Sequence, residues 1–138
     1  MRRADVTALP GAAAIAVVLL LGAGAAAGEV AAGRQLYLKY CSACHGPDGS
    51  GDGVVSGFLR PQPTDLRLLA KSHDGVFPTL TVVKVIDGRA TSRAHGDPDM
   101  PVWGTILRAE EGEANNPELA VHSVVMQITD YLPSIQAR

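Results

Sequence analysis

The chain has 138 residues, a formal net charge of −2, two cysteines, one Trp, three Tyr and two Phe. That length fits one small domain and argues against a two-domain enzyme, and the near balance of charge argues against a nucleic-acid binder. The 46% apolar fraction is inflated by one terminal stretch, and without residues 1–27 it falls to about 41%, much of it alanine.

The leading residues read as an export signal. Arg2 and Arg3 form a short positive region, Ala12 to Leu21 an apolar one, and Ala23-Gly24-Ala25 or Ala25-Ala26-Ala27 offers small residues for cleavage. Residues 1–27 are therefore expected to be a signal peptide and 28–138 the domain that remains, placed outside the cytoplasm, in the periplasm. The alternative is an uncleaved anchor, because the apolar run from residue 8 to 28 approaches the roughly 20 residues that span a bilayer. Pro10 and the taper into Ala and Gly favour cleavage. Beyond residue 28 there are 11 glycines and 8 prolines, so the domain is expected to be loop-rich. A chain of this size and composition usually needs a metal, a disulfide or a cofactor to fold.

From Glu29 to Tyr40 the positions Gly33, Leu36, Tyr37 and Tyr40 share one side at helical spacing, which predicts a first helix. Residues 46–65 hold five glycines and three prolines, a density that predicts a loop. Pro78 to Asp87 is ambiguous: its β-branched residues favour a strand, and its leading proline and closing Gly88 favour a helix. An irregular segment is expected over Arg89–Gly104, a helical turn over Thr105–Ala109, and a solvated acidic surface at Glu110, Glu111 and Glu113. Asn116-Pro117-Glu118 is a helix start, with an N-cap, a proline at the first position and an acid at the positive dipole end. Val121, Val124, Val125, Ile128, Tyr131 and Leu132 then recur at three- and four-residue spacing up to Pro133.

Cys41-Ser42-Ala43-Cys44-His45 is a C-x-x-C-H sequence, the attachment motif of c-type haem. On a helical turn, residues i and i+3 share a face, so two thiols at this spacing reach the two vinyl groups of one porphyrin while the next residue offers an imidazole to the iron. Three other readings compete. A Cys41–Cys44 disulfide would close a very short loop and constrain little. A thioredoxin-like pair would need a βαβ pattern, and zinc would need further ligands. For the sixth iron position the sequence offers Met100, Met126, His73, His95 and His122. Met126 lies inside the last helix beside its apolar face, where core packing is the expected role. Met100 sits in the proline-fixed segment Asp97-Pro98-Asp99-Met100-Pro101, which suits a ligand aimed from a loop.

Cys41-Ser42-Ala43-Cys44-His45-Gly46 together with Met100-Pro101-Val102-Trp103-Gly104 resembles the class I monohaem cytochromes c in their small bacterial form. Gly33 and Tyr37 on the first helix, and Ile128 and Tyr131 on the last, resemble the family's contact pairs where the terminal helices cross. Pro61–Leu66 and Asp87–Arg89 are also similar, so the resemblance covers about residues 30–133 and tips Pro78–Asp87 towards helix. It implies an all-α, cytochrome c-like fold, with three to five short helices and long loops wrapped around one covalently bound haem and with the terminal helices crossing. It further implies that Cys41 and Cys44 form the thioethers, that His45 and Met100 are the axial iron ligands, and that a proline carbonyl, from Pro61 or Pro63, holds the His45 ring. His95 is expected to be a loop residue.

A closed His/Met pair implies small rearrangement on electron transfer and a raised reduction potential. The expected function is a periplasmic electron carrier between redox proteins, not an enzyme in itself. The alternatives are a dedicated cytochrome subunit of a dehydrogenase or oxidase complex, and a haem sensor or gas-binding protein with a labile sixth ligand. With residues 28–138 near −3 in charge, no single large positive patch is expected to choose partners. Membrane contact is expected only if the leader is retained.

Overall fold

The computed structural model describes residues 27–89, 100–110, 112 and 116–137. Almost all of the expected signal peptide, His95, Asp97 to Asp99, Glu111 and Glu113 lie outside the described residues. Within them the chain is all-helical: α1 (27–40), α2 (Ser42–His45), α3 (Thr79–Asp87), α4 (Trp103–Glu110) and α5 (Pro117–Tyr131), with three 3-10 turns between α2 and α3 and one after α5. None of these helices is long and apolar enough to cross a membrane.

The crossing of α1 and α5 is made by what Gly33 lacks. A Cβ at Gly33 would run into the Gln127 carbonyl and come within 2.9 Å of Tyr131 Cβ, so only hydrogen allows the backbones this close. Beside the crossing the Tyr37 and Tyr131 rings meet at 5.3 Å, tilted by 47°, a contact worth about 0.5–1.5 kcal/mol beyond its buried area. Tyr37, Val121, Val125, Ile128, Tyr131 and Leu132 are buried there with Leu107 of α4 and Val82 and Ile86 of α3. Each fully buried aliphatic side chain adds roughly 1.5–3 kcal/mol.

The ambiguous Pro78–Asp87 segment is the helix α3. Val82 N–H donates to the Pro78 carbonyl, and Gly88 closes the helix in the left-handed region at φ 79°, where a β-branched residue would be strained. Its β-branched Val82 and Ile86 are buried on one side; packing on α4 and α5 overrides strand preference. The segment expected to be irregular up to Gly104 is corrected at its end: α4 starts at Trp103. Thr105 N–H donates to the Val102 carbonyl, and Gly104 sits against Asp87 with no room for a Cβ.

Asn116 caps α5 as expected, its side-chain oxygen accepting from Leu119 N–H at 3.1 Å. Glu118 does more than meet the helix dipole: it takes Arg108 Nη2 at 3.1 Å and also pairs with Arg108 Nε, linking α5 to α4. Met126 is half-buried and stands outside the apolar cluster, a smaller packing role than its place in the sequence suggested.

The loop after α2 is pinned by Arg67, which reaches Asp65 at 2.9 Å and Asp48 at 3.2 Å. The hydrogen bonds from Arg67 hold the Asp65 carboxyl below its ordinary range, and Asp48 is lowered first by Ser50 and then by Arg67. The sign follows from linkage. The contribution is complete above the ordinary carboxylate range, where the unfolded chain is also ionised, and is lost as pH falls through the depressed native values. Thermal unfolding of Arg67→Met should therefore start below wild type at neutral pH and converge with it in acid; a gap that persists in strong acid would refute this.

Candidate functional site

The motif residues are placed by a break in the helix. Cys41 separates α1 from α2, yet its N–H still donates to the Tyr37 carbonyl at 2.8 Å and its carbonyl accepts from His45 N–H at 2.9 Å, so Cys41, Cys44 and His45 keep helical spacing. Gly46, at φ 79°, then turns the chain sharply away. The buried Tyr37 hydroxyl donates to the Gly46 carbonyl at 2.6 Å, and burial pushes its titration well above the ordinary tyrosine range.

Both cysteines are free thiols. The buried Cys41 is pushed up to about 12, first by burial and then by Cys44 beside it, so it is neutral at physiological pH. The disulfide and thioredoxin readings find no support, with free thiols and no strand among the described residues. Those residues also hold no group of three or more His, Cys, Asp or Glu side chains able to bind a metal, which leaves zinc unsupported.

His45 is buried, and its Nδ1 lies 3.0 Å from the Thr64 carbonyl oxygen. A carbonyl only accepts, so Nδ1 carries the proton and the lone pair is on Nε2, the tautomer a metal-binding imidazole needs. The support expected from Pro61 or Pro63 comes from Thr64 instead. The Pro63 carbonyl is turned against Gly51, where a Cβ would collide with it, and Pro61 forms part of the cleft wall. Because the interaction uses main chain, no side-chain signal in the sequence marks Thr64.

Two cavities of about 320 and 220 Å³ share Cys41, His45, Thr64, Val85 and Met100 in their lining, and together form one cleft. Cys44, Pro61, Pro101 and Trp103 line the first half alone; Leu66, Leu69, Ile86 and Ile128 line the second. The joint space falls in the range of about 300–1,000 Å³ of small-molecule and cofactor sites. The structure thus brings Cys41, Cys44, His45 and Met100 to one apolar cleft. His122 and Met126 do not line it, and His73 lines its second half.

These residues fit a covalently held haem: two thiols at helical spacing, an imidazole with its free lone pair set by a main-chain acceptor, and a thioether lining the same cleft. Tyr40 and Trp103 close the first half as an edge-on pair at 5.4 Å. The Tyr40 hydroxyl donates to Glu110 at 2.9 Å, which ties α1 to α4 at the mouth.

Residues 28–114 match the model of the family described as cytochrome c oxidase, cbb3-type, subunit III. No curated protein and no solved structure matches the chain.

Proposed function

The chain belongs to that c-type cytochrome family, and from this premise we propose that it is an exported, periplasmic one-electron carrier whose haem is fastened by Cys41 and Cys44 and ligated by His45 and Met100. A domain of this family carries covalently bound c-type haem and is an electron-transfer module. One observation supports the ligation, the bond from His45 Nδ1 to the Thr64 carbonyl, beside a cleft that Cys41, Cys44 and Met100 also line.

The haem iron supplies the one-electron couple when bound. Thr64 holds the imidazole in one tautomer and one orientation, and a fixed ring loses little energy to rearrangement as charge changes. Met100, next to Pro101, offers a soft thioether, which favours a higher potential than a second histidine would. Leu66, Leu69 and Ile86 give the second half an apolar lining, and an apolar lining tunes the potential further. In this reading residues 1–27 are the export signal. The runner-up, a dedicated subunit of an oxidase complex, is favoured by the family's own description; copurification of a catalytic subunit marks it off from a free carrier.

The test is the near-infrared sulfur-to-iron absorption band of the oxidised protein, recovered from the periplasmic fraction. Wild type should show the band and Met100→Ala should lack it, with a lower reduction potential. A wild type without the band, or a variant that keeps it, refutes the Met100 assignment.

A further inference from the structure

The second half of the cleft takes two of its walls from parts of the chain far apart in sequence. Leu66 and Leu69 stand on one side, just after the Thr64 support, and Ile128 and Leu132 on the other, at the end of α5. The Leu66 side is a single 3-10 turn, too short to hold its own position, so its place against α5 must come from ties to other parts of the chain.

Gln136 supplies such a tie. Its Oε1 accepts from Ala70 N–H at 2.8 Å, and its Nε2 donates to the Leu66 carbonyl at 2.9 Å and to the Leu132 carbonyl at 3.0 Å. A side-chain amide has two N–H donors, and both are used here on carbonyls that belong to opposite walls. The partners also fix which way the amide points: turned over, Oε1 would face two carbonyls and Ala70 N–H would face a donor. The neighbours of Gln136 press on the same segment. An added Cβ at Gly49 would come within 2.7 Å of Ile135 Cδ1, and Ala137 N–H donates to the Arg67 carbonyl at 2.8 Å.

We propose that Gln136 is a positioning residue of the cleft: its amide clasps the wall of Leu66 and Leu69 to the wall of Ile128 and Leu132, and so sets how closely the second half encloses the group bound there. The inference rests on the haem reading above. Gln136 does not line either half and acts through the two leucine carbonyls. With the walls parted, water enters, and water stabilises the more positive, oxidised state, which lowers the reduction potential.

The other ties of the segment do not replace this one. Arg67 pairs with Asp65 and Asp48, and Leu66 N–H donates to the Gly49 carbonyl, so these fasten the turn to the loop that follows the motif and not to α5. The Ala137 bond reaches Arg67 but leaves the Leu132 carbonyl aside. Of these contacts, Gln136 is the one that joins Leu66 to Leu132.

The experiment compares wild type, Gln136→Met and Asn116→Ala by the reduction potential of the holoprotein and by amide hydrogen exchange. Methionine keeps the length of the side chain and loses all three bonds. Asn116→Ala removes the cap at the far end of α5, a comparable loss of stability that leaves the clasp intact. Ala70 N–H should be protected in wild type and Asn116→Ala and exchange about tenfold faster in Gln136→Met. The potential should fall in Gln136→Met alone, with electron affinity about 3-fold lower, or about 30 mV at 59 mV per tenfold. A potential that is unchanged or raised in Gln136→Met, or that falls equally in Asn116→Ala, overturns the proposal. Should Gln136→Met fail to fold, the wild-type protein decides: an Ala70 amide that exchanges as fast as the exposed Lys71 and Ser72 beside it shows that the clasp is not formed. The near-infrared band on the same samples separates the two readings. A band retained with unmoved potential and exchange sinks the role of Gln136 and leaves the axial pair standing, whereas a wild type without the band removes the axial pair and leaves the Ala70 exchange to test the clasp.

Discussion

Cys41→Ser combined with Cys44→Ser is expected to abolish accumulation of folded protein. The helices pack on one another on the side of Leu107, Val121 and Val125, but Leu66, Leu69, Val85 and Met100 face the cleft. Without a covalently held partner, cavities of about 320 and 220 Å³ must flood or collapse. Each large apolar side chain left facing water there forfeits roughly 1.5–3 kcal/mol, and several such losses are comparable to the ~5–15 kcal/mol that holds a whole domain together. Circular dichroism and denaturant unfolding of the double variant check this; a haem-free protein with full helical content and a cooperative transition would defeat it.

The second large effect is expected at Gly33. Leucine there must displace the Gln127 carbonyl and Tyr131 Cβ, and main-chain atoms cannot rotate away as a flexible side chain can. Alanine already makes that collision, so Gly33→Ala should destabilise by about 1–3 kcal/mol despite a gain of ~1 kcal/mol in helix propensity. Gly33→Leu should lose more than ~3 kcal/mol, because α1 must lift off α5 and part Tyr37 from Tyr131. Urea midpoints of the holoprotein measure both, and a Gly33→Ala variant as stable as wild type would show that the crossing has slack.

Much of this arrangement is legible in the sequence because it depends on side chains. The C-x-x-C-H motif, the period of Val121 to Leu132, the Asn116 cap and the glycine opposite Tyr131 each leave a residue-type signature, and each stands where the pattern puts it. What the sequence conceals depends on main chain or on distance. The support of His45 is the carbonyl of Thr64, a group every residue owns, and the expectation of a proline carbonyl rests on the family resemblance alone. The start of α4 at Trp103 is decided by Gly104 against Asp87, a contact between residues 17 apart. The links from Arg67 to Asp48 and from Arg108 to Glu118 join charges whose partners nothing local announces. The cleft lining is of the same kind, for His73 is one histidine among several until the fold brings it to the same cavity wall as Leu66 and Leu69.

The hydrogen bonds around residues 46–66 divide that stretch into fixed ends and an exposed tip at the Ser56–Phe58 turn. Gly53 N–H donates to the Cys44 carbonyl at 3.1 Å and Leu66 N–H to the Gly49 carbonyl at 2.7 Å, so both flanks of the Thr64 support are fastened independently of what lies between. At that tip a side chain at Gly57 would meet nothing within 4 Å. Doubling the length of a flexible loop costs only about 0.6 kcal/mol of closure entropy. Insertion or deletion at the Gly57 turn can therefore change the spacing between motif and support without moving the imidazole. Counting residues from C-x-x-C-H is for that reason a poor way to find the residue that holds it.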